Sequence, residues 1–512
     1  MIELWRRPWT RFGTSQDYTL LRDGTGYDTS GPVWVCTPPS GLPIVDGRPG
    51  QGKELFQLED QRRVFALPIP LRPSRGLVVA VPGGTARLLF PGVPDRPVEA
   101  LNQVDEAQQE AILLLDRVKA VWARVREVEA ATADPATIWD RLHDLWMNHA
   151  SGADPEIDVI VRQARQLPAI LELLGRAPRR VLRRTQQMIP LSRVQEIDRR
   201  AMTWLVRQPG ETMAERAGGR QRIRAVAREE NLNTLENRVL LSYASLATAV
   251  SRDYAGRHRV AAASRRVQLV KTFEKQCRQL ALDLAHRGVS PARADATPSF
   301  VLQTDPNYRN VWDAWCDLLG RQRILDELWR WQARSWEEFC ALAVVVALRS
   351  INGARAVATS PLAFRQEQDQ GRWIEHVDPL AVFYLPDQNT TVEVQYDGRT
   401  DRLRGFGATI WLRFGSVGEN EILTRSAIWP LWHPAGGLDL SDLDSILASL
   451  GHVRQERVRG GLTIRPAAAE EAQVLSRGDA ACMTLAPSGD ALRDGLHALR
   501  TVLADLLGQR PR

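Results

Sequence analysis

Lysine is nearly absent from this chain. Four lysines stand among 67 basic residues, so arginine is the default cation and an arginine is no mark of function by itself. Cysteine is equally sparse: Cys36, Cys277, Cys316, Cys340 and Cys482 lie far apart, their number is odd, and no CxxC pair occurs. That pattern excludes a conventional zinc knuckle and predicts reduced thiols. Long apolar runs are missing too. The longest purely aliphatic stretch, Ala341 to Leu348, has eight residues, against the roughly 20 needed to span a bilayer. No apolar segment of the secretory kind follows Met1-Ile-Glu-Leu-Trp-Arg6. These absences predict a cytoplasmic protein without a membrane partner. No repeat of 20 to 50 residues and no low-complexity tract is present.

What is present is ordinary globular material. The 512 residues are 44% apolar and 25% charged, enough for two to four domains with buried cores. Charge is informative by location. Arg176 to Arg228 holds 14 arginines against Glu196, Asp198, Glu211 and Glu215, a formal +10 in a chain whose total is +6. Concentrated positive charge suits a polyanion, because neutralised phosphates release counterions; a solvated or partner-facing surface is the plainer alternative.

Periodicity divides the chain into three. Residues 1–100 are rich in Pro and Gly and carry short alternating runs such as Val33-Trp-Val-Cys and Leu77-Val-Val-Ala-Val, predicting a β-rich domain. Residues 101–330 carry apolar stripes at helical spacing, predicting a helical domain that contains the basic segment 176–228. Within it Leu191, Val194, Ile197, Ala201, Trp204 and Leu205 predict one helix. Arg193, Arg200 and Arg207 recur every seven residues on another of its faces. From 331 to 512 helix and strand alternate: a helix over 335–351, strands near 377–385, 391–396, 408–414 and 422–430, a helix near 441–450, strands near 461–465 and 481–486, and a closing helix over 490–508. The fold class is multidomain α+β.

Three motifs bear on chemistry. Gly47-Arg-Pro-Gly-Gln-Gly52-Lys53 fits a phosphate-binding loop, but Glu54 stands where a hydroxyl should meet Mg²⁺ and no helix follows, so no nucleotide is expected on this chain. Asn233-Thr-Leu-Glu236-Asn-Arg238 reads as a capping box that starts a helix. His376-Val-Asp378-Pro379 opens an apolar strand, Pro386-Asp387-Gln388-Asn389 turns, and Thr391-Val-Glu393-Val-Gln395-Tyr396 returns. Period two puts Glu393 and Gln395 on one face. A hairpin centred near 388 brings Asp378 close to Gln395, whereas Asp387 stays in the turn, roughly 20 Å along the strand from Glu393. Two carboxylates and a third polar group at one end of a hairpin suit Mg²⁺ or Mn²⁺, with Glu337 or Glu338 of the preceding helix as a further carboxylate. A half-exposed strand with an ordinary polar face explains the same spacing.

Ile189-Pro-Leu-Ser-Arg-Val-Gln-Glu-Ile-Asp198 with Arg207-Gln-Pro-Gly210, the Asn233–Arg238 stretch, and Gln303-Thr-Asp-Pro306-Asn-Tyr308-Arg-Asn-Val-Trp312 together resemble the McrC-like family of prokaryotic defence proteins. With the hairpin, the likeness spans roughly residues 189 to 396. It implies a C-terminal PD-(D/E)XK, restriction-endonuclease-like α/β domain at 331–512 and an AAA+ ATPase or GTPase as partner. It makes Asp378 and Glu393 the metal-binding acids of a DNA endonuclease subunit in a restriction-like anti-phage system. Gln395 falls where the family pattern has lysine, and a neutral amide can position a water but adds no positive charge. Arg179, Arg180, Arg183, Arg184, Arg193, Arg200 and Arg207 are then the candidate DNA contacts. The alternative is a catalytically inactive DNA-binding or adaptor subunit that keeps the fold; RNA or protein as the target is a third reading.

Overall fold

A computed structural model describes residues 2–12, 18–29, 31–39, 41–49, 52–81, 84–97, 106–131, 138–148, 159–259, 261–359, 362, 364–367, 371–375, 379–396, 406–416, 424–453, 457–468 and 471–508. The chain forms two compact units. Unit 1 comprises residues 1–153 and 323–512, and unit 2 comprises residues 154–322.

Unit 1 is built on an eight-stranded sheet. Its strand order is Arg355–Thr359, Ala381–Leu385, Thr390–Tyr396, Ile410–Ser416, Thr424–Pro430, Val458–Pro466, Ala480–Leu485, Val474–Arg477. The first five run antiparallel in succession. Val458–Pro466 then lies parallel to Thr424–Pro430, and Ala480–Leu485 parallel to Val458–Pro466. Helices occupy both faces, as parallel connections demand. Gln332–Arg349 and Gly489–Leu506 share one core with Val392, Val394, Leu412 and Ile428. Leu440–Val453 packs on the other side with Trp411, Ala427 and Trp429. Ala341 to Leu348 is buried all round within Gln332–Arg349, which is what an apolar helix without a polar face requires.

Helices Glu106–Ala131 and Ile138–Asn148, expected from the sequence to belong to the helical middle, bury Leu114, Val118, Trp139 and Trp146 in this same core. The N-terminal part carries two five-stranded sheets that bury Leu4, Val35 and Phe65 of one against Val45, Val79 and Leu88 of the other. The Trp9 ring lies 4.9 Å from that of Trp429, tilted by 56°, and its indole N–H donates to the Ser445 hydroxyl at 2.9 Å.

Unit 2 is helical around Tyr243, Tyr254, Phe273 and Trp315. Its long helices are Leu235–Arg257 and Arg265–His286, joined by the first part of Pro306–Arg330. One element departs from the helical expectation. Val181–Pro190 and Arg222–Asn231 form an antiparallel two-stranded ribbon, registered from Val181 opposite Asn231 to Pro190 opposite Arg222. The helix expected over 191–205 is therefore corrected. Leu191–Arg193 is a 3₁₀ turn, residues 194–198 carry no regular structure, and the helix is only Arg199–Val206. Asp198 sets that start, its carboxylate accepting from the Ala201 N–H at 2.8 Å. Arg193 lies outside the helix and Arg207 is its C-cap, so the seven-residue arginine stripe does not exist. The apolar positions nevertheless meet: Leu191, Val194, Ile197, Trp204 and Leu205 pack with Ile223 and Ala225 in a small core at the ribbon's end.

Candidate functional site

The hairpin forms as expected. Ala381–Leu385 and Thr390–Tyr396 pair with Val382 opposite Glu393, and Asn389 closes the turn with φ of 48°, a left-handed position that asparagine tolerates. Val392 and Val394 point into the helix-covered core, while Glu393 and Gln395 face the other side of the sheet. Gln395 lies opposite Trp411 and is 8% exposed; Glu393 is about one-third exposed. Asp387 is exposed in the Pro386–Gln388 turn. Asp378, with His376, lies outside the described residues.

Arg413 qualifies the carboxylate. It sits directly opposite Glu393 on the next strand, and its guanidinium reaches the Glu393 carboxylate at 3.5 Å. Such a partner twenty residues downstream leaves no local signal in the sequence.

Glu338 is elsewhere. It is 1% exposed on Gln332–Arg349, whose core is the sheet face opposite Glu393, and it accepts the Ile374 N–H at 2.7 Å. Burial pushes its carboxyl up to about 7, against the opposing pull of Arg334, the Ile374 N–H and Lys53. Arg334 lies 4.6 Å from the centre of the Trp373 ring. Glu337 lines a small cleft with Lys53 and Arg334. Neither glutamate is brought beside Glu393, and among the described residues no group of three His, Cys, Asp or Glu could hold a metal ion. Lys53, the last residue of the Gly47–Lys53 motif, begins a strand and is buried.

The basic segment divides by partner. At the ribbon's base Arg179 pairs with Glu236 at 3.0 Å and Arg180 with Glu230 at 2.9 Å. Arg184 and Arg228, opposite one another, both reach Glu196, at 3.3 and 3.2 Å. Arg183 is on the ribbon, and its side chain is outside the described set. Arg193, Arg200 and Arg207 are exposed and enter no salt bridge among the described residues; Arg199, Arg220, Arg222 and Arg224, which no sequence motif singles out, share that condition.

The Asn233–Arg238 stretch does more than start a helix. The N-cap is Thr234, one residue later than expected, and it accepts from the Asn237 N–H. Asn233 accepts instead from the Ser290 N–H and hydroxyl. Glu236 turns to Arg179 and to the Ser299 hydroxyl at 2.6 Å; burial alone would raise its carboxyl, but these partners hold it below its ordinary value. Asn237 is fully buried. Its amide donates to the carbonyls of Arg179 at 2.8 Å and Leu232 at 2.7 Å, and it accepts the Tyr308 hydroxyl at 2.8 Å. Tyr308 in turn accepts the Arg179 N–H at 2.9 Å. Asn237 thus bridges the chain entering the ribbon and the chain leaving it.

A cleft of about 660 Å³ in unit 1 was not foreseen from sequence. In it the buried Asp442 is shared by Arg7 at 3.0 Å and Arg465 at 2.7 Å.

A protein family described only as a domain of unknown function, DUF2357, matches residues 156–315. That is most of unit 2. No curated protein matches the chain. Among solved structures, an assembly of Thermococcus gammatolerans McrB AAA+ hexamers with bound McrC is similar at 11% identity, over 87% of this chain and 84% of that one, with a TM-score of 0.21. A TM-score that low carries no argument for the function. Among the described residues no helix is long and apolar enough to cross a membrane.

Proposed function

We propose that this chain is a DNA-directed subunit of a restriction-like defence system, that unit 1 carries its nuclease-type core, and that a separate AAA+ subunit supplies nucleotide hydrolysis. One observation carries the reading. Helix Gln332–Arg349, an antiparallel meander through Thr424–Pro430, helix Leu440–Val453 and the parallel strand Val458–Pro466 follow in order, with Glu393 and Gln395 side by side on the meander. This order is what supports reading unit 1 as the restriction-endonuclease-like core that the sequence resemblance implies. On the endonuclease reading, Asp378 and Glu393 hold Mg²⁺ or Mn²⁺ and Gln395 orients water.

The described donors do not fit that ion by themselves. Glu393 brings one carboxylate, already engaged by Arg413, and Gln395 brings one amide oxygen, whereas Mg²⁺ favours one or two free carboxylates with waters and phosphate oxygens. No step is therefore derived through the metal. Arg413 favours the second reading, a non-catalytic DNA-binding or adaptor subunit that keeps the fold.

Plasmid cleavage with Mg²⁺ or Mn²⁺, with and without a candidate AAA+ partner, separates the two. Cleavage by the wild type that Glu393→Ala abolishes supports the endonuclease. Equal cleavage by both refutes the site. A wild type that is inert while Gln395→Lys nicks DNA supports the second reading.

A further inference from the structure

We propose that duplex DNA is gripped by the end of the ribbon, through Arg193, Arg199, Arg200, Arg207, Arg220, Arg222 and Arg224, and that the arginines at its base are structural. This rests on the DNA-directed reading above and assigns the contact surface within it.

Partnering makes the division. Arg179, Arg180, Arg184 and Arg228 have carboxylates within 3.3 Å, so their charge serves to fix the ribbon and its base. The seven at the other end are exposed and form no salt bridge among the described residues. Three of the four acids between Arg176 and Arg228 have other duties, and the fourth, the exposed Glu211, enters no salt bridge among the described residues. Asp198 caps Arg199–Val206, Glu215 completes a capping box with Thr212, and Glu196 is held by Arg184 and Arg228.

Geometry supplies the second argument. Ile223 and Ala225 are buried in the small core with Leu205 and Ala217, so by strand alternation Arg222 and Arg224 project from the opposite face of the ribbon. Arg220 precedes them in the turn, where the Gln221 carbonyl accepts the Leu191 N–H at 2.8 Å. Arg199 and Arg200 begin, and Arg207 ends, the helix that covers that core. The guanidinium groups are thus mounted on a folded end-piece, and the planar guanidinium fork matches phosphate oxygens.

The test measures binding of the full chain to a short labelled duplex of arbitrary sequence between about 50 and 200 mM salt. It compares wild type, the end variant Arg220→Gln/Arg222→Gln/Arg224→Gln, and a charge-matched base variant Arg180→Gln/Arg184→Gln/Arg228→Gln. Each phosphate contact contributes about 0.9 to the slope of log affinity against log salt, so the end variant's slope should be shallower by about 2.7 and the base variant's nearly unchanged. Wild-type binding with equal slopes for the two variants overturns the assignment and leaves the DNA reading standing. A wild type that does not bind the duplex at the lowest salt overturns the DNA reading itself. The exposed Met202 and Val206 beside these arginines then point to a protein surface as the partner.

Discussion

Removing the amide of Asn237 should loosen the base of the ribbon while leaving the helix that carries it intact. Asn237→Ala deletes three hydrogen bonds of 2.7 to 2.8 Å. The Arg179 and Leu232 carbonyls and the Tyr308 hydroxyl proton then lose a partner in a site where Asn237 is wholly buried. A buried polar group left without its partner costs about 1–3 kcal/mol. Three such losses span roughly 3–9 kcal/mol, and taken in the lower half of the single-group range, at about 1–2 kcal/mol each, they come to roughly 3–6 kcal/mol, offset by about 0.5 kcal/mol from the better helix propensity of alanine. A net cost near 4 kcal/mol corresponds to about a thousandfold change in an opening equilibrium. Hydrogen–deuterium exchange read by mass spectrometry is the assay. Peptides covering 181–185 and 227–231 should lose about three orders of magnitude of protection, with peptides from Arg265–His286 much less affected. Asn237→Asp should do no better at neutral pH, because both donated bonds become contacts between oxygens and a charge is buried among them. Ribbon-base amides that exchange within about tenfold of wild type in Asn237→Ala would refute the clasp, since tenfold is only about 1.4 kcal/mol.

Legibility in the sequence followed burial. The central strands of the C-terminal third were readable, because Leu380 to Leu385, Val392 to Tyr396 and Ile410 to Phe414 carry two-residue alternation or continuous apolar runs beside clear turns. Four strands escaped: Arg355–Thr359, Phe364–Glu367, Gly371–Ile374 and Val474–Arg477. Val474–Arg477 is exposed at all four positions and Arg355–Thr359 ends the sheet, so neither has an apolar rhythm to detect. The ribbon departs from expectation for the same reason. Arg183-Arg-Thr-Gln-Gln has no buried side to advertise a strand, while Leu191, Val194 and Ile197 copy a helical spacing and reach their core through a turn and irregular chain.

The candidate site was legible only along the chain. Alternation alone fixes Glu393 and Gln395 on one face. Whether a neighbouring strand brings a cation depends on register, and no local pattern sets Arg413 opposite Glu393. The asparagine clasp shows the same limit. Asn233 and Glu236 have the spacing of a capping box, yet tertiary contacts to Ser290, Arg179 and Ser299 claim both side chains. A local motif that is chemically sufficient can thus be overridden by partners more than fifty residues away.

Two further substitutions probe unit 1. At Gly407, φ is 69° and an added Cβ would lie 2.1 Å from the Pro8 carbonyl oxygen. Gly407→Ala should therefore cost more than the roughly 1 kcal/mol of an ordinary positive-φ replacement, because backbone must move; a melting temperature equal to wild type would refute the contact. Glu338→Gln should flatten the pH dependence of stability. The folded carboxyl titrates at about 7 against an ordinary 4.5, so its contribution is fully present below about pH 4.5 and is lost as pH rises through 7. The loss approaches roughly 3 kcal/mol at pH 8, since each tenfold difference in proton affinity between the folded and unfolded chain is about 1.4 kcal/mol. Glutamine retains an acceptor for the Ile374 N–H without the charge, and urea midpoints of wild type and variant should diverge between pH 5 and pH 8 in the variant's favour. Parallel profiles would mean that Arg334 and Lys53 keep Glu338 ionised throughout, making it one arm of a buried ion pair.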